Sequence, residues 1–327
     1  MWKSLPSSRS GVEQSDGVKD IRFDHFITYT SAQDIDAYLK EYAAQGFVPA
    51  EETVRHHPGL RNGFVFIGPE YLEFCWVVDE ALFAEADEHD RLRREALRPF
   101  GLGMVSGDVQ AVHEDWTRRG YKVPEVYSSA PRDAPAEAPP KWSFQTIPEE
   151  LLPGIWCFAL TYHSRPKDKV TQVRPAPNTI YAVSGMTCVS TEPEARAKSW
   201  RDLLVPDEEV VRSGTGLDVQ IGAHRAIWMT PDDYQVAYGF NWMPSPHSNG
   251  ELAALQLLTS DLAAVQTTMA QAGRRTSPVN VGAEDALLIE PDVRDGFTFF
   301  VRQQPIENWL QERIRRTGER LQLAEDQ

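Results

Sequence analysis

The chain has 327 residues, of which 41% are hydrophobic, and a formal net charge of −15 at pH 7. A chain of this length can bury substantial cores and allows about two domains. The acidic balance argues against nucleic acid and anionic membrane surfaces as partners. No apolar run reaches the roughly 18 residues needed to cross a bilayer, and the polar segment Met1–Gly17 lacks the apolar centre of a signal peptide. We therefore expect a cytoplasmic protein.

One spacing occurs three times along the chain. An Asp is followed by an apolar residue, a helical run and then a Gly at a separation of 12 residues, in the pairs Asp34 and Gly46, Asp108 and Gly120, and Asp261 and Gly273. Asp is a good helix N-cap, and Gly tolerates the left-handed conformation that ends a helix. The spacing therefore predicts three copies of one unit, each with a short helix.

Apolar strand-like segments flank each of these helices. In the first copy Phe23–Thr30 precedes the helix and three further short runs follow it, so the order is strand, helix and three strands. A fourth, less regular copy fits between positions 179 and 238, with a helix that starts near Pro193 and a last strand at Tyr234–Tyr238. A single unit cannot bury its apolar face, so we expect two pairs of units.

The predicted fold class is α+β, with four βαβββ modules paired into two domains. Cys75, Cys157 and Cys188 fall within predicted strands, and burial as small hydrophobes is expected of them. The Pro- and Ala-rich stretch Ser128–Lys141 predicts a surface excursion that could act as a flap. We divide the chain into a flexible tail (1–19), an N-terminal domain (20–165), a linker (166–178), a C-terminal domain (179–305) and an amphipathic helix (306–327). The apolar stripe of that helix predicts docking on a domain and leaves open a homodimer.

Chemistry is expected in the first unit. Its opening strand reads FDHF around His25 and its last strand reads YLEF around Glu73. A carboxylate between apolar neighbours is costly to bury without a partner, and a cation would remove the cost. Imidazole with carboxylate suits Fe(II), Mn(II), Ni(II) or Zn(II), although a hydrogen-bonded structural pair is the alternative.

Together with HPGLRN at positions 57–62, these motifs resemble the glyoxalase-like branch of the vicinal oxygen chelate (VOC) superfamily. The resemblance implies paired βαβββ modules that form half-barrels and cup a divalent metal ion as cofactor. Ligands in this superfamily usually come from the first and last strands of each unit, which implies His25 and Glu73. The opening strand of the second unit offers no ligand, so we predict His163, at the end of its last strand, as the third; an exposed His163 at the domain edge is the alternative.

The remaining candidates surround this set. His57 matches the H-P position of the resemblance and could carry a proton, orient substrate or bind metal, and Tyr162 is the second catalytic candidate. Substrate-binding candidates are Arg61, Asn62, Tyr71 and Trp156. Asn62 could instead only hold its turn, and Arg61 could be solvated.

The second half of the chain lacks His and carboxylate at the corresponding strand positions, so we expect a scaffold or a dimer surface there. His224 and His247 are interpreted as surface or loop residues. Three functions fit a small-molecule substrate: a metal-dependent isomerase or lyase that transfers a proton, an Fe(II)-dependent dioxygenase that cleaves an aromatic or dicarbonyl compound, and a metal-free binding or resistance protein.

Overall fold

A computed structural model describes residues 21–54, 59–83, 94–95, 97–129, 140–163, 172–239, 251–281, 284–318 and 321–324. The predicted tail, positions 130–139 of the predicted flap and the first part of the predicted linker lie outside this part of the chain. None of the described helices is long and apolar enough to cross a membrane.

The first two units share one eight-stranded sheet with the order β2-β3-β4-β1-β5-β8-β7-β6. The first unit contributes β1 (Arg22–Tyr29), α1 (Ile35–Ala44), β2 (Val48–Pro49), β3 (Leu60–Ile67), β4 (Glu70–Val77) and the short α2 (Glu80–Phe83). The second unit contributes β5 (Gly101–Val105), α3 (Val109–Arg118), β6 (Tyr127–Ser129), β7 (Trp142–Ile147) and β8 (Trp156–Tyr162). Antiparallel pairing of β1 with β5 joins the two units at the centre of the sheet.

The other two units repeat this arrangement in a second eight-stranded sheet with the order β11-β12-β13-β10-β14-β17-β16-β15. The third unit contributes β10 (Ile180–Val189), α4 (Pro193–Leu204), β11 (Val211–Ser213), β12 (Gly216–Ile221), β13 (His224–Met229) and α5 (Pro231–Tyr238). The fourth contributes β14 (Glu251–Thr259), α6 (Leu262–Gln271), β15 (Thr276–Val281), β16 (Glu284–Ile289) and β17 (Phe299–Gln303). After it come α7 (Ile306–Thr317) and β18 (Gln322–Leu323), which pairs with β9 (Gln172–Val173). The predicted α+β fold of four paired βαβββ modules in two half-barrel domains is confirmed.

The repeated Asp-to-Gly spacing has the predicted cause. The Asp34 side chain accepts hydrogen bonds from two backbone N–H groups in the first turn of α1, and Asp108 does the same for α3. Asp261 accepts one such bond in α6. Gly46, just after α1, has a φ of 75°, a left-handed conformation in which a Cβ would be strained.

Two expected elements differ from the structure. The predicted last strand of the third unit, Tyr234–Tyr238, is the C-terminal part of helix α5. The helix forms because the Thr230 side chain caps it and Pro231 occupies its first turn. The C-terminal helix ends at Thr317, where Gly318 adopts a φ of 69°, so it stops well before the end predicted for it.

Each sheet carries one helix from each of its two units on one face, α1 and α3 on the first sheet and α4 and α6 on the second, and we call the opposite, concave face of each sheet its cup. The two domains pack together through their helix-covered faces, and one hydrophobic core runs through both. Across this junction the ring of Phe74 contacts that of Phe297, with centroids 5.8 Å apart. The cups therefore lie on the sides of the two sheets that point away from the junction.

A buried carboxylate lies at the same junction. Asp295, fully buried before β17, accepts hydrogen bonds from the hydroxyls of Tyr38 and Tyr42 on α1, the latter at 2.6 Å. Burial raises the pKa of Asp295 to about 6, and the two tyrosine hydrogen bonds only partly oppose this effect. The folded protein thus binds a proton here more tightly than the unfolded chain does.

We predict that Asp295 makes the protein less stable as the pH rises through about 6. Its folded-state pKa exceeds its ordinary value, so its contribution is present at low pH and is lost on ionisation, with a total cost of about 3 kcal/mol because one pKa unit is worth about 1.4 kcal/mol. Asp295→Asn should remove this part of the pH dependence. Urea unfolding of both proteins at about pH 5 and about pH 8 measures the part of it, about 1.4 kcal/mol, that is lost between these two pH values.

Asp292→Asn is the matched control. Burial alone would raise the pKa of Asp292, but hydrogen bonds from Arg294 and the charge of Arg274 outweigh burial and lower it. Its contribution therefore changes only at more acidic pH. Equal pH dependence in wild type and Asp295→Asn would contradict the prediction.

Candidate functional site

The N-terminal cup contains a cluster of polar side chains built around β1. His25 shares the cup-facing side of this strand with Ile27 and Tyr29, as alternation requires. The pairing of β1 with β5 shifts register between Phe23 and His25, which is a β-bulge at Asp24. The bulge turns the Asp24 carboxylate to the same side as the imidazole, where Oδ2 lies 2.8 Å from His25 Nδ1.

His25 lies between two carboxylates and two aromatic rings. Its Nε2 is 3.6 Å from Glu73 Oε2, and its ring stacks on Tyr71 with centroids 4.6 Å apart. The ring of Phe158 covers it from β8 at 5.4 Å. Only 4% of His25 is exposed, so its orientation is tightly defined.

Asn62 orients the second carboxylate. From the neighbouring strand β3, Asn62 Nδ2 donates to Glu73 Oε1 at 2.8 Å and lies 3.3 Å from Cys75 Sγ. Both Asn62 and Glu73 are buried. The amide therefore holds one carboxylate oxygen while the other faces His25.

Two tyrosines complete the cluster. The hydroxyls of Tyr71 and Tyr162 are 3.1 Å apart, and Tyr162 donates to Asp24 Oδ2 at 2.7 Å. Burial, followed by the negative charge of Asp24, raises the pKa of Tyr71 well above its usual value. Tyr71 consequently keeps its proton at neutral pH and can donate a hydrogen bond.

The structure thus brings six of the predicted site residues into one cup: His25, Asn62, Tyr71, Glu73, Trp156 and Tyr162. Trp156 forms part of the wall, with its ring 4.9 Å from that of Phe158. Asp24 also belongs to the site, although alternation along a regular strand places it on the opposite face. A β-bulge has no simple signal in a single sequence, so Asp24 was not among the predicted residues.

Two predicted residues lie on the other face. Arg61 points toward α1, where it contacts Thr53 and donates to Asp36 at 3.2 Å. His163 is exposed and its Nε2 is 2.8 Å from Ser143 Oγ. Alternation explains both, since Arg61 directly precedes the cup-facing Asn62 and His163 directly follows the cup-facing Tyr162. The structure thus places Arg61, the predicted substrate contact, and His163, the predicted third ligand, outside the cup that holds His25 and Glu73, and His57 lies outside the described residues.

Internal symmetry shows which residues of the second unit correspond to His25 and Glu73. Thr30 N–H donates to the Cys75 carbonyl in the first unit, and Ser106 N–H donates to the Leu160 carbonyl in the second. Gly101 lies as many residues before Ser106 as His25 lies before Thr30, so these two positions correspond. In the same way Phe158, before Leu160, corresponds to Glu73, before Cys75. The second unit therefore has no metal-ligating side chain at either position.

The number of ligands in the cup decides whether the site fits a divalent metal ion. His25 Nε2 and Glu73 Oε2 are close enough for both to contact one ion at about 2.0–2.2 Å. Catalytic centres usually have three protein ligands, however, and the described residues contain no group of three or more potential ligands. The described residues therefore supply fewer metal ligands than the predicted metal centre requires. The chemistry of the site is accordingly derived from the protein's own side chains.

A buried network supports the site from behind. Glu70, next to Tyr71 on β4, accepts from Arg313 Nη1 at 2.7 Å and pairs with His224 Nε2 at 3.0 Å. His224 Nδ1 accepts from the Phe23 N–H at 3.3 Å, directly before the bulge. The interpretation of His224 as a surface or loop residue is wrong, because the side chain is completely buried at the domain junction.

The charges of this network are mutually compensating. Burial alone would raise the pKa of Glu70, but the charge of Arg313 and the hydrogen bond of His224 outweigh burial and lower it. Glu70 is therefore an ionised carboxylate with a buried guanidinium partner. The C-terminal domain, through His224 and Arg313, holds the strands that carry Asp24, His25 and Tyr71.

The comparisons with known proteins agree with this architecture. The sequence model of a family described as "Glyoxalase-like domain" matches residues 23–204, more than half of the chain. The chain belongs to this family, and with it to the VOC superfamily. No match to a curated protein sequence was found.

Solved structures are similar in fold. A hypothetical protein from Staphylococcus aureus has a TM-score of 0.52 and 13% identity, over 87% of this chain and 100% of that one. A triple mutant of 4-hydroxymandelate synthase from Streptomyces coelicolor has a TM-score of 0.56 and 13% identity, over 91% of this chain and 98% of that one. At this identity the likeness concerns the fold alone.

We predict that Gly103→Ala disrupts the site. A Cβ at position 103 would lie 2.1 Å from His25 Cε1, so the imidazole must move away from both carboxylates. We expect changed NMR resonances of the His25 ring and a free energy of unfolding lower by about 1–3 kcal/mol, the usual cost of overpacking.

Gly101→Ala is the control on the same strand. Its Cβ would meet Ile27 and Trp156, at 3.0 and 3.2 Å, and not His25. His25 resonances that are unchanged in Gly103→Ala, or that change equally in both variants, would disprove the described packing.

Proposed function

We propose that the chain is an enzyme that transfers a proton on a small oxygenated substrate in the N-terminal cup, as an isomerase or lyase does. The observation that carries this proposal is the imidazole of His25 placed between Asp24 and Glu73, 2.8 and 3.6 Å from its two nitrogens. Membership of the glyoxalase-like family supports small-molecule chemistry in the cup.

His25 is the proton carrier in this proposal. The Asp24 carboxylate accepts a hydrogen bond from Tyr162 and is also the acceptor for His25. His25 Nδ1, the nitrogen nearer to Asp24, therefore carries the ring proton, and Nε2 remains as the basic nitrogen. Nε2 takes a proton from a carbon next to the substrate carbonyl and returns it to a neighbouring atom or the leaving group. Asp24 fixes the tautomer and, with Glu73, stabilises the imidazolium formed in between.

Tyr71 assists the substrate oxygen in this proposal. Proton removal next to a carbonyl places negative charge on that oxygen, and a pre-positioned donor stabilises this charge. Tyr71 is protonated and stacked against His25, and because Tyr162 donates to Asp24, the Tyr71 hydroxyl donates to Tyr162. In this proposal the Tyr71 hydroxyl turns from Tyr162 to the substrate oxygen when the substrate binds. Phe158 and Trp156 provide the apolar wall for the rest of the molecule.

The predicted metal-dependent enzyme uses the same pair differently, with His25 and Glu73 as ligands. The predicted dioxygenase requires two His and one carboxylate around Fe(II), and the described residues bring only one His to the cup. A metal-free binding protein would hold a ligand in the cup without proton exchange. One experiment separates these alternatives.

We predict that the wild-type protein exchanges the α-protons of at least one compound in a panel of small 2-oxo and 2-hydroxy carbonyl compounds in deuterium oxide. Proton NMR follows the loss of each α-proton signal, with chelator present and then with Ni(II), Zn(II), Mn(II) or Fe(II) added. His25→Gln should lower the exchange rate by about 100-fold or more, as loss of a general base usually does.

His163→Gln is the matched control, because this His lies at the end of the same domain but on the opposite face. It should exchange at the wild-type rate. Exchange that occurs only with an added ion, or binding of panel compounds without any exchange, would refute proton transfer by His25 and favour the metal-dependent enzyme or the binding protein, respectively.

A further inference from the structure

The C-terminal cup contains a cavity of about 790 Å³ between the sheet and helix α7. Its wall combines charged and apolar side chains from six strands and the helix, among them Ser184, Arg225, Leu258, Arg302, Trp309 and Arg316. The cavity is separate from the N-terminal site, since the two cups belong to different sheets.

This cavity occupies the place that corresponds to the N-terminal site. Ser190 N–H donates to the Met229 carbonyl in the third unit, as Thr30 N–H donates to the Cys75 carbonyl in the first. Counting back equal distances places Gly185 at the position of His25 and Arg225 at the position of Tyr71. The imidazole thus has no counterpart at Gly185, and the phenol is replaced by a guanidinium.

Three arginines surround this space, and each uses one nitrogen for one carboxylate. Arg225 donates from Nη2 to Asp218, Arg302 from Nη1 to Glu284, and Arg316 from Nε to Glu312. Arg302 Nε is buried without a partner among the described residues. Because a guanidinium has five N–H donors, most of the donor capacity of this cluster is unused.

The like charges also affect one another. Burial, followed by the positive charge of Arg302, lowers the pKa of Arg225; the negative charge of Glu284 opposes this effect and the positive charge of Arg316 adds to it. The side chains of Arg302 and Arg316 are only 15% and 29% exposed, so water screens this repulsion incompletely. An anion between the guanidinium groups would relieve the repulsion and use the free donors.

The rest of the lining indicates which anion fits. Leu258 and Trp309 offer apolar surface next to the arginines, which suits a ligand with an apolar body. Five carboxylates also line this cavity: Asp218 and Glu312, which pair with Arg225 and Arg316, and the exposed Asp207, Glu208 and Glu209. They repel a phosphate or another multiply charged anion more than an anion with a single charge.

We propose that this cavity binds a small monocarboxylate with an apolar body, whose carboxylate is held by Arg225 and Arg302. The C-terminal domain is then a binding domain in its own right and more than a scaffold. This proposal does not depend on proton transfer in the N-terminal cup.

Isothermal titration calorimetry of the full chain with benzoate, phenylacetate and hexanoate tests the proposal. We expect at least one of them to bind the wild type, and benzamide, the neutral analogue of benzoate, not to bind. Arg302→Gln and Arg225→Gln should each weaken binding by about tenfold or more, the usual effect of losing a charged hydrogen bond. In the wild type, NOEs from ligand protons to the Trp309 ring locate the bound molecule even if a variant fails to fold.

Arg212→Gln is the control, because Arg212 is 64% exposed, pairs with Glu194 and does not line the cavity. It should bind like the wild type. No binding of any of the three carboxylates at about 10 mM, equal binding by Arg302→Gln and Arg212→Gln, tighter binding of inorganic phosphate, or NOEs that avoid Trp309 would each overturn the proposal.

Discussion

The hydrogen bond between Asp24 and His25 is the interaction on which the N-terminal site depends. In a regular strand these neighbours would point to opposite faces of the sheet. The bulge in β1 removes that restriction and brings a carboxylate to Nδ1, while Glu73 approaches Nε2 from β4. The bulge therefore gives the buried His25 ring a defined orientation inside the cup, with Nδ1 toward Asp24 and Nε2 toward Glu73.

The second domain contributes to this arrangement from the domain junction. His224 accepts the Phe23 N–H next to the bulge, and the ionised Glu70 next to Tyr71 is paired with Arg313. A buried ion pair is costly to break, because either partner alone would be an uncompensated charge. The strands of the site are thus held in place by residues far away in the chain, which gives the C-terminal half a direct role in the N-terminal geometry.

Much of the fold could be predicted because its signals are local. Asp caps and glycine stops lie within one helix, and their repetition identified three modules, while the strand and helix pattern around Pro193 identified the fourth. The strand predicted at Tyr234–Tyr238 failed for a local reason too, since the cap at Thr230 and the proline after it favour a helix over the aromatic strand-like pattern.

The candidate site was only partly predictable. Sequence motifs identified His25 and Glu73. Whether Tyr162 or His163 lies in the cup depends on which face of β8 forms it, and strand alternation alone does not identify that face. Asp24 depends on a bulge, and His224 on the packing of one domain against the other. The arginines of the C-terminal cavity come from two separate strands and a helix, so no spacing in the sequence connects them.

Nitrogen NMR of the His25 ring in the wild-type protein tests the central claim most directly, because it reports which ring nitrogen carries the proton. When the ring is neutral, we expect the proton on Nδ1, held by Asp24, and a free lone pair on Nε2. A proton on Nε2, or a ring that averages both tautomers as free imidazole does, would contradict the polarity assigned to His25 and the proton transfer that follows from it.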